Sequence, residues 1–272
     1  DNVAEVGYQN CDFLPAKILA LAFDGILLLG LVTIGRQLVS WDVGLALALI
    51  YAANGLTIQR DLLFVSHLAP TACVILAIAA RQRPALSGLL LAIGAGILFW
   101  PAFLIPTWLA YYAGRGRAAL VRSSIAIAVV GVAIIATVHL YTEPVGERAP
   151  LQVFAANTWE HQEGDGPYGH SEFGLWGQWS QQNPGQAAGI AIAKRLVRWS
   201  YFALCLILPI ALYLYHRPLS VSALLGVSAS LALGLQFWKT HGGGLYTGWY
   251  FPLVVATLFV PIKAPDTMNK QE

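Results

Sequence analysis

Charge is what this chain has least of. Asp, Glu, Lys and Arg together make up 11% of its 272 residues, against about 25% in soluble domains. That shortfall excludes a fold whose whole surface faces water. A net formal charge of +2, from sixteen basic residues scattered along the chain, excludes a nucleic-acid-binding patch. The three cysteines, Cys11, Cys73 and Cys205, are too dispersed for a disulfide framework or a cysteine metal motif. The two inside apolar runs read as small apolar fillers. There is no phosphate-cradling glycine loop, no nucleophile elbow and no paired-histidine zinc helix, so no cofactor or metal site is called for. The single methionine is Met268, and the chain opens at Asp1 without a basic leader or cleavage site. It therefore reads as a fragment with native sequence expected upstream.

What fills the chain is apolar sequence, 57% of the total. Segments run over Leu14–Ile34, Val43–Ile58, Leu62–Ala80, Ala85–Ala113, Ser123–Tyr141, Leu196–Tyr215, Leu219–Trp238 and Leu245–Ile262. At 1.5 Å per residue each reaches across a hydrocarbon core about 30 Å thick, the second only barely. The expected fold is all-α, a single transmembrane helix bundle over 1–272. The fourth segment is about nine residues too long for one crossing, and Trp100-Pro101 and Pro106 interrupt it. It reads as two shorter helices that enter and return, giving about nine membrane helices in all.

Arginine placement supports the double pass. Arg81 and Arg83 precede it and Arg115, Arg117 and Arg122 follow it, so a returning pair puts all five on one face, as the positive-inside rule prefers. Carrying the alternation through adds Arg36, Arg217, Lys263 and Lys270 to the cytoplasmic face, with the C-terminus. The acidic leader and a polar island, 142–190, fall outside. The outer face keeps seven of the sixteen basic residues, a surplus over what orientation needs that points to function.

Few residues can carry chemistry. Asp24 lies mid-span, where a carboxylate costs about 2.5–3.5 kcal/mol; it reads as a polar contact between helices or as a catalytic or ion-coupling group. His67 and His139 fall within spans and read as hydrogen-bonded core histidines. On the outer side Lys17, Arg60, Lys239 and His241 suit an anionic lipid headgroup, or snorkel to water at helix ends. In the island, His161, Glu163 and Asp165 alternate, as in a solvated acidic loop or one face of a metal site. Trp159, Tyr168, Phe173, Trp176 and Trp179 supply rings for sugar stacking or for the membrane interface. The island is too small for a robust core of its own and is expected to form short helices over the bundle.

Between Asn54 and Tyr112 the order of elements is specific: Asn54-Gly55, Arg60-Asp61 opening a span, the basic turn Arg81-Gln82-Arg83-Pro84, then a glycine-rich run from Ser87-Gly88 into Trp100-Pro101 and Pro106. This resembles the bacterial membrane glycosyltransferases of the GT-C superfamily, and the leader Tyr8-Gln9-Asn10-Cys11-Asp12-Phe13-Leu14-Pro15 is similar to the end of their first outer loop. The resemblance implies transfer of a sugar from a polyprenyl-phosphate carrier to a glycan or glycolipid acceptor, outside the cytoplasmic membrane and among its lipids. It implies carrier-phosphate contacts at Lys17, Arg60, Lys239 and His241, and an acceptor or sugar loop with Trp159, His161, His170 and Trp176. It places the catalytic carboxylate upstream of this stretch, with Asp1, Glu5 and Asp12 as fallback. The other readings are a transporter or flippase built around Asp24 and the broken segment, and a non-catalytic membrane subunit.

Overall fold

The computed structural model describes residues 14–54, 65–144, 146–156, 158, 175–215, 218–238 and 246–260. Among them the chain is all-helical, with no β-strand. The first two helices, α1 (Leu14–Leu38) and α2 (Trp41–Ala52), form a hairpin. Ser40 divides them: its backbone is extended, and its hydroxyl accepts the Val43 N–H at 3.3 Å, satisfying a first-turn donor of α2. The hairpin closes through Gly35 and Gly44, where a Cβ on Gly44 would fall 2.5 Å from the Val32 carbonyl oxygen. Small residues are what let two apolar helices approach this closely. Across the same hairpin the Tyr51 hydroxyl donates to Asp24 Oδ1 at 3.0 Å. The mid-span carboxylate thus serves as an interhelical contact.

Helix α3 (Val65–Ala79) is the centre of the bundle, buried at nearly every position from Leu68 to Ile78. A helix apolar on all sides needs neighbours on all sides, and α3 has α1, α4 (Pro84–Ile97) and α11 (Thr247–Phe259). After α4 the chain makes a 3-10 turn, Trp100–Leu104, and then α5, Ile105–Ala113. The overlong segment is therefore two helices, but the break falls at Leu98, which is extended, rather than at a proline. The Pro101 ring would clash with the carbonyl four residues earlier, on Ile97, and that is where α4 ends. Pro101 and Pro106 sit instead in the first turns of the elements that follow, where a missing N–H costs nothing.

The two halves fold back on each other. The Ser87 hydroxyl donates to the Ala77 carbonyl at 2.7 Å and accepts from Trp108 Nε1 at 2.9 Å, while the Tyr112 hydroxyl donates to the Arg81 carbonyl at 2.9 Å. These bonds place the end of α5 beside the start of α4. The same end of the bundle holds Arg36 over the Trp41 ring, Arg81 donating to Gln37 Oε1, and Arg115 donating to the Leu219 carbonyl. Arg36, Arg81, Arg83, Arg115 and Arg117 thus share one basic end.

The remaining helices are α6 (Arg117–Tyr141), α7 (Pro150–Ala155), α8 (Leu175–Gln182), α9 (Ala187–Tyr215) and α10 (Val221–Trp238). Helix α6 packs on α4, with Gly88 against Ser123. Among the described residues three helices, α1, α6 and α9, are long and apolar enough to cross a membrane; α2, α3, α4, α10 and α11 are apolar but shorter over those residues. Hydropathy alone overstates the short ones, since α2 has 12 residues and α11 has 13. It understates α9, which begins at Ala187 rather than at Leu196. Charge ends an apolar run without ending a helix, because Lys and Arg are good helix formers. His139 also departs from expectation: it is exposed near the end of α6, not packed in a core.

Two predictions follow from this packing. Gly44→Ala should cost about 1–3 kcal/mol by forcing α1 from α2, while Gly131→Ala, whose Cβ enters open space, should gain roughly 0.5–1 kcal/mol; denaturant unfolding in detergent measures both. Arg83→Cys and Arg115→Cys should both react with a membrane-impermeant maleimide added from the same face, and reaction from opposite faces would refute the folded-back pair.

Candidate functional site

At the end of the bundle opposite the arginines, three elements bring aromatic rings together. Helix α3 supplies His67 from its first turn, the 3-10 turn supplies Phe99 and Trp100, and the start of α11 supplies Tyr246 and Trp249. Trp249 is the hub. Its ring stacks on Tyr246 with centroids 4.3 Å apart and on Trp100 at 5.8 Å, and it lies 5.5 Å from His67. Phe99 meets it edge-on at 6.5 Å. Offset stacks and edge contacts of this kind are worth about 0.5–1.5 kcal/mol beyond area burial. Trp249 and Trp100 are fully buried.

One hydrogen bond orients the cluster: Trp249 Nε1 donates to His67 Nδ1 at 3.0 Å. An indole N–H only donates, so Nδ1 must be the accepting nitrogen, and His67 is held as the neutral tautomer with its proton on Nε2. Trp100 Nε1 is buried with no hydrogen-bond partner among the described residues. A second aromatic group adjoins the 3-10 turn, where Phe103 stacks on Phe202 at 5.5 Å and meets Tyr201 edge-on at 5.4 Å. Tyr201 in turn donates to the Leu231 carbonyl at 2.9 Å, tying α9 to α10.

Helix lengths set the depth of the cluster. His67 lies about 20 Å along α3 from the basic end, and Trp249 about 15 Å along α11. Both are well short of the roughly 37 Å that the 25 residues of α1 and of α6 span. The rings are therefore recessed below the level that the long helices α1, α6 and α9 reach. Short helices flanked by long ones make a floor with walls.

The structure distributes the sequence-derived candidates unevenly. Lys17 is exposed near the start of α1. Trp176 is not a free stacking face: only 4% exposed, it donates from Nε1 to the Phe237 carbonyl at 2.6 Å and stacks on Trp179. It anchors the short helix α8 to the end of α10, and Trp179 is the more exposed ring. Asp1, Glu5, Asp12, Arg60, Trp159, His161, His170, Lys239 and His241 lie outside the described residues. The described chain resumes at Val65 after Arg60 and at Tyr246 after Lys239 and His241, and the His67 and Tyr246 rings are 5.1 Å apart. The described residues that follow the two cation-bearing segments thus meet in one cluster.

Sequence reasoning missed Tyr246 and Trp249, and also Lys194 and Arg198. Nothing in a hydropathy profile distinguishes a tryptophan that organises a site from one at an interface. The two cations were legible as a face: Ile190, Lys194, Arg198, Tyr201 and Cys205 recur at helical spacing.

Replacing the hub separates its two roles. Trp249→Phe keeps a ring and loses the hydrogen bond to His67, and should cost about 0.5–1.5 kcal/mol. Trp249→Ala removes the stack as well and should cost about 3–5 kcal/mol. Denaturant unfolding in detergent reads both, and equal losses would show that the stacking contributes nothing.

Comparisons with protein-family models, with curated proteins and with solved structures found no match, and what the cluster does is argued from its own chemistry.

Proposed function

We propose that this chain is the membrane core of a glycosyltransferase that takes a sugar from a polyprenyl-phosphate carrier and transfers it to a glycan or glycolipid acceptor. The positive-inside rule orients the basic end toward the cytoplasm, so the aromatic floor opens outward, and the bundle crosses the cytoplasmic membrane about nine times. The observation that carries this reading is the meeting of the described residues that follow the two cation-bearing segments. Arg60 precedes His67 by seven residues and Lys239 precedes Tyr246 by seven, and those two rings touch.

In this reading Arg60, Lys239 and His241 hold the carrier phosphate, Lys17 stands at the rim, and Tyr246, half-buried over the covered rings of Trp249 and Trp100, forms the floor under the sugar. A carboxylate on the outer face, upstream or among Asp1, Glu5 and Asp12, takes the proton from the acceptor hydroxyl as its oxygen attacks the anomeric carbon. The bond from that carbon to the phosphate oxygen breaks, and the electron pair leaves with the carrier phosphate, where the cations stabilise it. The island, with Trp159, His161 and His170, covers the acceptor. A transport site at Asp24 has less support, because Tyr51 already gives that carboxylate an interhelical role.

The test is carrier binding by the complete protein in proteoliposomes. Charge-assisted contacts to phosphate are worth about 1.5–3 kcal/mol each, so Arg60→Ala and Lys239→Ala should each weaken affinity for a polyprenyl-phosphate hexose roughly tenfold to a hundredfold. Unchanged affinity in the double variant would reject the assignment.

A further inference from the structure

Helices α4 and α6 both start at the basic end and run side by side away from it. They close on each other at Gly88, where a Cβ would fall 2.7 Å from the Ser123 carbonyl oxygen, and again at Gly96, where it would meet the Ile134 side chain. Beside the second contact lies a cavity of about 410 Å³, whose lining includes Gly96 of α4, Val129, Ala133 and Thr137 of α6, and Phe154 of α7. Among the described residues that line it only Thr137 is polar, and its hydroxyl donates to the Ala133 carbonyl at 2.8 Å. An apolar cavity of this kind takes hydrocarbon rather than water.

Two helix faces lead from the basic end into that cavity. On α6, Arg122, Ala126, Val129 and Ala133 recur at helical spacing and share a face. On α4, Leu86, Leu89 and Ile93 stand ten, seven and three residues before Gly96 and share its face. Those three are 38%, 37% and 38% exposed, against 58% for Ile125 and 67% for Val132 on the outermost side of α6. They therefore line a groove rather than a ridge. At its mouth stand Arg122 and Arg83, the residue before α4, both exposed. Arg36, Arg81 and Arg115 are engaged by the Trp41 ring, Gln37 and the Leu219 carbonyl. The side chains of Arg83 and Arg122 make no hydrogen bond or ion pair among the described residues. No Asp or Glu occurs in α4, in α6 or in the elements packed against them, which are α3, α5, α7 and the 3-10 turn.

Val129 lies about 10 Å and Ala133 about 16 Å along α6 from Arg122, and Gly96 about 15 Å along α4 from Leu86. Half of a hydrocarbon core about 30 Å thick is about 15 Å, the depth to which the chains of one leaflet reach. We infer that the groove between α4 and α6 binds an anionic phospholipid of the leaflet at the basic end. Arg83 and Arg122 hold its phosphate, and one acyl chain runs along Leu86, Leu89 and Ile93 into the cavity beside Gly96. Guanidinium forks suit phosphate oxygens. Charge at one end of the groove and hydrocarbon along the rest match the two halves of such a lipid. The site uses no residue of the transferase reading and stands whether or not that reading does.

The experiment uses the full chain, delipidated in a neutral detergent, with native mass spectrometry and thermal stability as readouts. Phosphatidylglycerol should bind saturably and in preference to phosphatidylcholine, and millimolar inorganic phosphate should not displace it. A phosphatidylglycerol carrying a diazirine near the end of one acyl chain should, on illumination, cross-link within 89–96 or 129–137. Arg83→Gln/Arg122→Gln should weaken the apparent affinity at least tenfold, and Ala133→Phe, which fills the cavity, should abolish the cross-link. Arg117→Gln, about 140° around α6 from Arg122, should change neither. An equal loss with Arg117→Gln would reduce the effect to diffuse positive charge and overturn the inference. So would displacement by inorganic phosphate, a cross-link elsewhere, tighter binding of a polyprenyl phosphate than of phosphatidylglycerol, or a lipid-free dimer that puts a second copy in the groove. If the double variant does not fold, the wild-type cross-link and lipid preference decide. No preference for phosphatidylglycerol means that carboxylates of the chain itself, such as Asp266 or Glu272, neutralise these arginines, and the lipid site is rejected.

Discussion

The clasp at Ser87 is the contact on which the rest of the bundle depends. One hydroxyl donates to α3 and accepts from α5, so a single buried side chain of α4 joins three helices. In an apolar interior a polar atom without a partner costs several kcal/mol, so the pairing selects one arrangement of those helices over others that pack equally well. With Tyr112 bonded to the Arg81 carbonyl, the clasp closes the broken pair at its basic end. The free end of that pair, the 3-10 turn, is then held against the start of α11, and Trp100 meets Trp249. The aromatic floor is in this sense a consequence of a hydrogen-bonded network at the opposite end.

Unequal helix lengths turn that packing into a shape. A bundle of equal helices has two flat ends, both at the membrane surface. Here α2, α4 and α11 are short, while α1, α6 and α9 are long enough to cross a membrane. Because the basic ends are gathered in one layer by Arg36, Arg81 and Arg115, all the shortfall appears at the other end. Rings at the ends of the short helices are recessed from the level that the long helices reach.

Much of the fold is legible in the residues. The break before Pro101 follows from the ring's clash with the Ile97 carbonyl, and the common end of Arg81, Arg83, Arg115 and Arg117 follows from charge alone. Asp24 was legible as a residue needing a partner, but Tyr51, 27 residues away, was not legible as the partner. Trp176 shows the converse difficulty. Its composition fits a sugar-stacking loop as well as it fits an anchor, and only the bond to the Phe237 carbonyl tells which role it plays here.

Composition and periodicity by themselves determined that this chain is helical, that its solvent is largely hydrocarbon, and where the long apolar segment turns back. These follow from local physics: few charges, a 3.6-residue spacing and the geometry of proline. Tertiary structure alone decided that Trp249 would be the hub of a cluster with His67 and Trp100, residues separated by up to 182 positions, and that Lys194 would be buried. Such choices are made by which helices touch and where each one stops. They depend on small residues such as Gly35, Gly44 and Gly88 admitting close approach and on buried polar atoms finding partners, and neither is a property of any one segment.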